Sequence, residues 1–96
     1  MYARVTRLES SPGQVDDGIR MVNEQVIPTA KALAGFTGAY FLADRESGRL
    51  LGITLWDSEQ HLLDSEVAAT KLREDTAQQA GAAVTSVERY EVIAQV

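Results

Sequence analysis

The chain has no cysteine, one histidine, one tryptophan and two prolines in 96 residues. Without thiols it has no disulfides, thiolate metal sites or cysteine nucleophile, and its composition suits a reducing cytoplasm. A lone histidine excludes a multi-histidine metal centre within one chain. Basic runs are missing too. The net charge is −5 with acidic residues scattered, a surface that repels phosphate backbones, so no nucleic-acid partner is expected. Apolar runs fall far short of a bilayer span, so no membrane partner is expected either. The opening "MYARVTRLE" lacks the apolar core of an export signal, and the expected location is cytoplasmic.

What is present is ordinary for a soluble domain, 45% hydrophobic and 24% charged. The length suits one domain over residues 1–96, stable only if nearly every apolar face finds cover. "YARVTRLE" (2–9) is rich in strand formers and stops at "SSPG". There Ser11 serves as N-cap, Pro12 as first helical residue and Gln14 as the second half of a capping box. Val15, Ile19, Val22, Val26, Ala30 and Leu33 then recur at steps of three and four, an amphipathic helix running to about Ala34. Pro28 lies inside that stripe and is expected to bend or split it near Gln25–Ile27.

"FTGAYFLAD" (36–44) and "RLLGITLW" (49–56) are strands joined by "RESG", a short hairpin ending in glycine. Residues 57–80 form a second helix capped by Asp57 or Ser58 and stopped at Gly81, and residues 84–96 form a last strand. The order β-α-β-β-α-β is the split βαβ, ferredoxin-like motif, an α+β fold with an antiparallel sheet and both helices on one face. In the hairpin, Tyr40, Leu42, Leu51, Ile53 and Leu55 share one parity; Ala39, Phe41, Ala43, Leu50, Gly52, Thr54 and Trp56 share the other. Both faces are largely apolar, whereas a sheet open to water on one side alternates apolar with polar. Leaving the second face bare would forfeit several kcal/mol at about 25 cal/mol per Å². The economical solution is a homodimer packed sheet to sheet; the alternatives are a C-terminal strand folded over the open face or an under-packed surface.

The stretch "IPTAKALAGFTGAYFLADRESGRLLGITLWDSEQHL", with the closing "SVERYEV", resembles antibiotic-biosynthesis-monooxygenase-type domains of the dimeric α+β barrel superfamily. The shared features are a proline late in the first helix, Gly-Phe entering the second strand, a glycine-containing hairpin, and a strand ending in Trp before an acidic-Ser-Glu helix start. The resemblance implies a dimeric α+β barrel with a pocket between helices and sheet in each subunit. It also implies chemistries from cofactor-free oxygenation of aromatic compounds to haem degradation. On that basis the expected ligand is a small aromatic compound, the expected cofactor none and the expected activity monooxygenase-like; the alternative is a non-catalytic ligand-binding or stress-related barrel.

Trp56, His61, Asn23, Thr54 and Phe41 are the candidate pocket residues, with no catalytic residue assigned. Trp56 is either a stacking wall for a flat ligand or a structural residue whose indole N–H needs a partner. His61 is either a general base near neutrality or, with Asp57 as N-cap, one half of a hydrophobic staple against Trp56. Ala39, Gly52 and Thr54, beside Trp56, either leave room for a ligand or admit close helix packing. Arg4, if buried, needs a carboxylate such as Glu88 or Glu91. Tyr40 and Tyr90 are either polar contacts or part of the dimer face. The haem-degrading relatives carry an asparagine on strand one, a tryptophan ending strand three and a histidine further along helix two. Here only Trp56 matches: the single asparagine is Asn23 in helix one, the histidine position falls near Glu66, and His61 is a turn too early. "DDG" (16–18) suits a helix dipole better than a metal corner, and no metal site is expected. The charged run "SEVAATKLREDTAQQ" reads as a solvated helix face with Glu66–Thr70 and Lys71–Asp75 support.

Overall fold

The computed structural model describes residues 1–96. Strand β1 (Tyr2–Glu9) leads through a 3₁₀ turn (Pro12–Gln14) into α1 (Val15–Met21), a π-helical turn (Val22–Val26) and α2 (Ile27–Lys31). Strands β2 (Phe36–Asp44) and β3 (Arg49–Trp56) follow, then α3 (Glu59–Asp64), α4 (Glu66–Ala80) and β4 (Ala83–Glu91). The sheet order is β2-β3-β1-β4, every neighbouring pair antiparallel. This is the ferredoxin-like α+β fold that the alternating patterns predict.

Local chemistry accounts for most of the boundaries. Extended Ser11 precedes Pro12, and the Gln14 carboxamide oxygen accepts from the Ser11 N–H at 3.4 Å and its hydroxyl at 3.0 Å. Pro28 cannot donate to the Glu24 carbonyl, and its ring would crowd that oxygen in a regular α-helix. The backbone widens just ahead of it, so that the Ile27 N–H reaches back five residues to the Val22 carbonyl. The expected split is therefore a π turn, and the helix stops at Lys31 rather than near Ala34.

The second helix also departs from expectation. It is two helices broken at Ser65, where the Ser65 hydroxyl donates to the Leu62 carbonyl at 2.6 Å. Ser58, not Asp57, caps it, the Ser58 hydroxyl accepting from the His61 N–H at 3.2 Å. Gly81 ends α4 in the left-handed conformation. Strand β4 stops at Glu91, short of the expected Val96.

Cross-strand register sorts the side chains into two faces. Ala39–Thr54–Arg4–Arg89 and Phe41–Gly52–Thr6–Val87 form rows toward the helices. Gly38–Leu55–Ala3–Tyr90, Tyr40–Ile53–Val5–Glu88 and Leu42–Leu51–Arg7–Ser86 form rows on the outer face. Of the outer side chains, Tyr40 is 63% exposed, Leu42 53% and Tyr90 51%. The buried core is small: Trp56, Leu62 and Val15 are its largest fully buried side chains.

The hairpin is tied to the end of β1. The Gly48 carbonyl accepts from the Ser10 N–H at 2.9 Å and the Ser10 hydroxyl at 2.8 Å. Gly48 has φ +80°, and a Cβ there would run into the Ser10 backbone carbonyl. Gly48→Ala should therefore lower stability by about 1–3 kcal/mol in urea denaturation. Gly38→Ala, with open space around the new methyl, should change it by less than about 0.5 kcal/mol. Equal effects would refute this account of the hairpin.

Candidate functional site

A cavity of about 360 Å³ lies between the inner sheet face and the helices. Small side chains make the room. Thr6, Gly52 and Thr54 line its floor, while Ile19, Val22, Ala69 and Leu72 supply the helical walls. A Cβ on Gly52 would lie only 3.1 Å from the Phe41 ring, so the space above the strand belongs in part to that ring. The small residues on this parity thus leave a void rather than a close helix contact.

Trp56 is 1% exposed and lines the cavity. Its indole N–H donates to the Thr54 hydroxyl at 3.0 Å, two residues back on the same face. Phe36 meets it edge to face with centroids 5.7 Å apart, and the Arg4 guanidinium carbon lies 5.6 Å from its ring centre. The ring is therefore a rigid wall with no free polar handle. Phe41, Thr54 and Asn23 line the same cavity. Asn23 is exposed and donates its side-chain N–H to the Ile19 carbonyl at 3.0 Å.

His61 is not among the cavity-lining residues, contrary to its candidacy as a pocket residue. With Ser58 as N-cap it occupies the third helical position, and its ring turns to Asp57, Nδ1 and Oδ1 lying 2.6 Å apart. That contact holds the Asp57 carboxyl below the usual range. With Ser58 as cap, Asp57 and Leu62 hold the staple positions in place of Trp56 and His61, and Gln60 bonds Asp64 rather than the cap. Trp56 takes Phe36 as its aromatic neighbour.

The strongest electrostatics lie at the helix break. Arg4 is 3% exposed. Its Nη2 donates to the Leu62 carbonyl (2.9 Å), the Ser65 hydroxyl (2.8 Å) and Glu66 Oε1 (2.9 Å). Arg89 Nε joins Glu66 from β4 at 2.7 Å. Hydrogen bonds first from Arg89 and then from Arg4 pull the Glu66 carboxyl down to about 2. The buried Arg4 thus takes Glu66 as partner, not Glu88 or Glu91. Glu88 sits on the outer face and bonds Arg7 at 3.0 Å, and Glu91 accepts from the Tyr2 hydroxyl at 3.5 Å. Glu66 does not support helix α4 through Thr70 as expected, whereas Lys71 and Asp75 do pair, at 3.5 Å.

Two lining residues escape a reading of the α4 run as a solvated face. Arg73 and Thr76 both border the cavity. Arg73 Nε and Nη2 and Thr76 Oγ1 are buried without hydrogen-bond partners, as is Arg4 Nε. Burial, followed by the charge of Arg4, pushes the Arg73 pKa down. The signal was present in the helical spacing Ala69, Leu72, Thr76, Ala80, one inward stripe on which Arg73 borders.

No family model matches the chain. Two proteins of Mycobacterium tuberculosis (strain ATCC 25618 / H37Rv) are similar in sequence. Uncharacterized protein Rv2557 is 30% identical over 94 residues, 98% of this chain and 42% of its own length. Uncharacterized protein Rv2558 is 32% identical over 77 residues, 80% of this chain and 33% of its own. The chain thus spans less than half the length of either relative. Among solved structures, the Streptomyces coelicolor monooxygenase ActVA-Orf6 in complex with nanaomycin D superposes with TM-score 0.75 at 14% identity, covering 99% of this chain and 89% of that one. SnoaB, a cofactor-independent oxygenase from Streptomyces nogalater, gives 0.64 at 15%, covering 99% and 94%. The haem degrader MhuD of Mycobacterium tuberculosis, with two haems bound, gives 0.72 at 16%, covering 100% and 99%. At these identities the likeness establishes the fold.

The Glu66 carboxylate is depressed in the folded chain, so its stabilisation is complete above its ordinary value of 4.5 and is lost as pH falls toward about 2. Glu66→Gln should destabilise the protein at pH 7 by roughly 3 kcal/mol, since it strips buried Arg4 of its carboxylate. The wild-type advantage should shrink steadily between pH 4.5 and 2. Denaturation midpoints of both proteins across that range check it; a difference independent of pH would contradict the assignment.

Proposed function

We propose that this chain, which has the ferredoxin-like fold of antibiotic-biosynthesis-monooxygenase-type proteins, is a homodimeric α+β barrel that takes a small aromatic compound into the cavity between helices and sheet. The activity proposed is monooxygenase-like and independent of a resident cofactor. One observation carries the reading: a largely apolar space of about 360 Å³ bordered by the buried Trp56 ring. Such a volume lies within the usual range of small-molecule sites, about 300–1,000 Å³. In a cofactor-free oxygenation the substrate supplies the electrons, so the protein's part is to hold the ring and exclude water. Rigid walls at Trp56, Phe41 and Leu72 suit that part.

A second, non-catalytic reading is favoured by the cavity's own chemistry. The titratable residues that border it are Arg4 and Arg73, both cationic, and the indole N–H is already bonded to Thr54. Binding without turnover needs nothing more. Haem handling is not proposed: the chain's histidine is turned to Asp57, and Glu66 is held by two arginines.

The homodimer rests on the outer face, where Tyr40 and Leu42 of edge strand β2 and Ile53 and Leu55 of β3 form an apolar half. Arg7 of β1 with Glu88 and Ser86 of β4 forms a hydrogen-bonded polar half beside it. The exposed Tyr40 and Leu42 side chains extend an apolar area that a second sheet would cover.

Light scattering should give about twice the 10.5 kDa chain mass, and Ile53→Arg should halve it; a wild-type monomer at micromolar concentration would refute the dimer. For the cavity, 2-naphthol and related hydroxylated bicyclic rings should perturb the fluorescence of Trp56, and Ala69→Phe, which fills the space, should abolish the effect. Oxygen uptake above the buffer rate would establish the oxygenase reading, and binding without uptake the non-catalytic one. If no ring compound perturbs Trp56, both readings fail.

A further inference from the structure

The arginines of this chain are ion-paired, with one exception. Arg4 and Arg89 share Glu66, Arg7 has Glu88, Arg20 has Asp17, Arg45 has Asp16 and Arg49 has Asp44. Arg73 has none, although its Nε and Nη2 are buried. Glu66, along the same helical face of α4, is committed to the other two arginines. The residue as a whole is half-buried, but two of its donors are shut from water with nothing to bond, which costs stability.

The orphaned atoms share a direction of demand. Arg73 Nε and Nη2 and Arg4 Nε are donors that cannot accept, and the Thr76 hydroxyl, 6% exposed, can donate as well. All three residues border the same cavity, whose remaining lining is mainly hydrophobic, and the orphaned atoms lie just behind that lining, closed to water, so that a ligand reaches them only as the side chains turn inward. Nε and Nη2 form one edge of the guanidinium, two parallel N–H groups spaced to meet the two oxygens of a carboxylate. A void of about 150 Å³ holds one benzene ring; 360 Å³ accommodates a fused bicyclic one.

We infer that the cavity recognises a small hydrophobic carboxylic acid, its carboxylate taken by the Nε/Nη2 edge of Arg73 as that side chain turns into the cavity, with the Thr76 hydroxyl as third donor and its ring body lying against Trp56. This rests on the cavity being a ligand site and goes further by naming the head group. Arg73 is then a specificity-determining residue. The polar demand of the wall is met by the ligand instead of by the protein.

The test titrates the full chain with 2-naphthoate, 2-naphthol and naphthalene at pH 7, following Trp56 fluorescence. In the wild type 2-naphthoate should bind about tenfold or more tighter than 2-naphthol. Arg73→Gln should remove that preference while leaving 2-naphthol within about twofold; Arg73→Lys, a point charge without the fork, should restore only part of it. Thr76→Val should weaken 2-naphthoate alone. Ligand-free Arg73→Gln and Thr76→Val should melt at or above the wild-type temperature, since each removes an unpartnered buried group; a purely structural role predicts the opposite. If 2-naphthol and naphthalene bind but 2-naphthoate binds no tighter, the carboxylate inference is overturned and the ligand cavity stands. If none of the three perturbs Trp56, both fall. Should Arg73→Gln not fold, the wild-type series and Thr76→Val decide.

Discussion

The interior is organised by the guanidinium of Arg4, a charge placed in the second position of the two-residue-period pattern of strand β1. From there it reaches three acceptors on the far side of the core: the Leu62 carbonyl, the Ser65 hydroxyl and Glu66. Removing such a group from water costs several kcal/mol, recovered only if its hydrogen bonds are made in good geometry. The helix yields to it. The Leu62 carbonyl serves Arg4 and Ser65 instead of a regular helical turn, and the segment divides into α3 and α4 at that point. Glu66 then ties in Arg89, so that β1, β4 and α4 meet at one carboxylate and α3 joins them through the Leu62 carbonyl on Arg4. The Trp56 ring beside the guanidinium closes the same end of the cavity. Fold and pocket thus depend on one ion cluster.

What could be read from the sequence was what local chemistry decides. Strands β2 and β3 lie where alternation and the glycine-ended turn put them, at 36–44 and 49–56, because a hairpin's register is set by residues next to one another. Pro28 announced a break in the first helix for the same reason; only its form, a π turn, needed the structure. The break at Ser65 was not legible. Nothing in "HLLDSEVAA" opposes a helix, and the cause is an arginine 61 residues earlier. The Asp57–Ser58 pair offered two good caps in succession, and the structure's choice of Ser58 shifted His61 by one position, out of the staple and toward Asp57.

The pocket was half legible. Trp56, Thr54 and Phe41 share a parity and therefore a face, so strand period alone placed them together. Asn23 joined them because the apolar stripe of the first helix faces that side. The cationic part was hidden in a run of mixed charge. On composition Arg73 is one more solvated arginine of α4; only the packed chain shows that its neighbours Leu72 and Thr76 point inward and carry it with them.

A cationic wall inside a chain of net charge −5 needs an explanation that stability does not supply. Surface arginines here have each found a carboxylate, and fourteen acidic residues were available to pair a seventh. Instead the one guanidinium left over borders the mainly apolar cavity between helices and sheet, beside a hydroxyl that also lacks a partner. In a domain with few fully buried residues, a cluster of unmet donors weakens the folded state. Water can enter such a place only by giving up bulk hydrogen bonds for a mostly apolar lining. An acceptor that brings its own apolar body has no such conflict. The same groups that make this cavity a poor core therefore make it selective between an anion and a neutral ring.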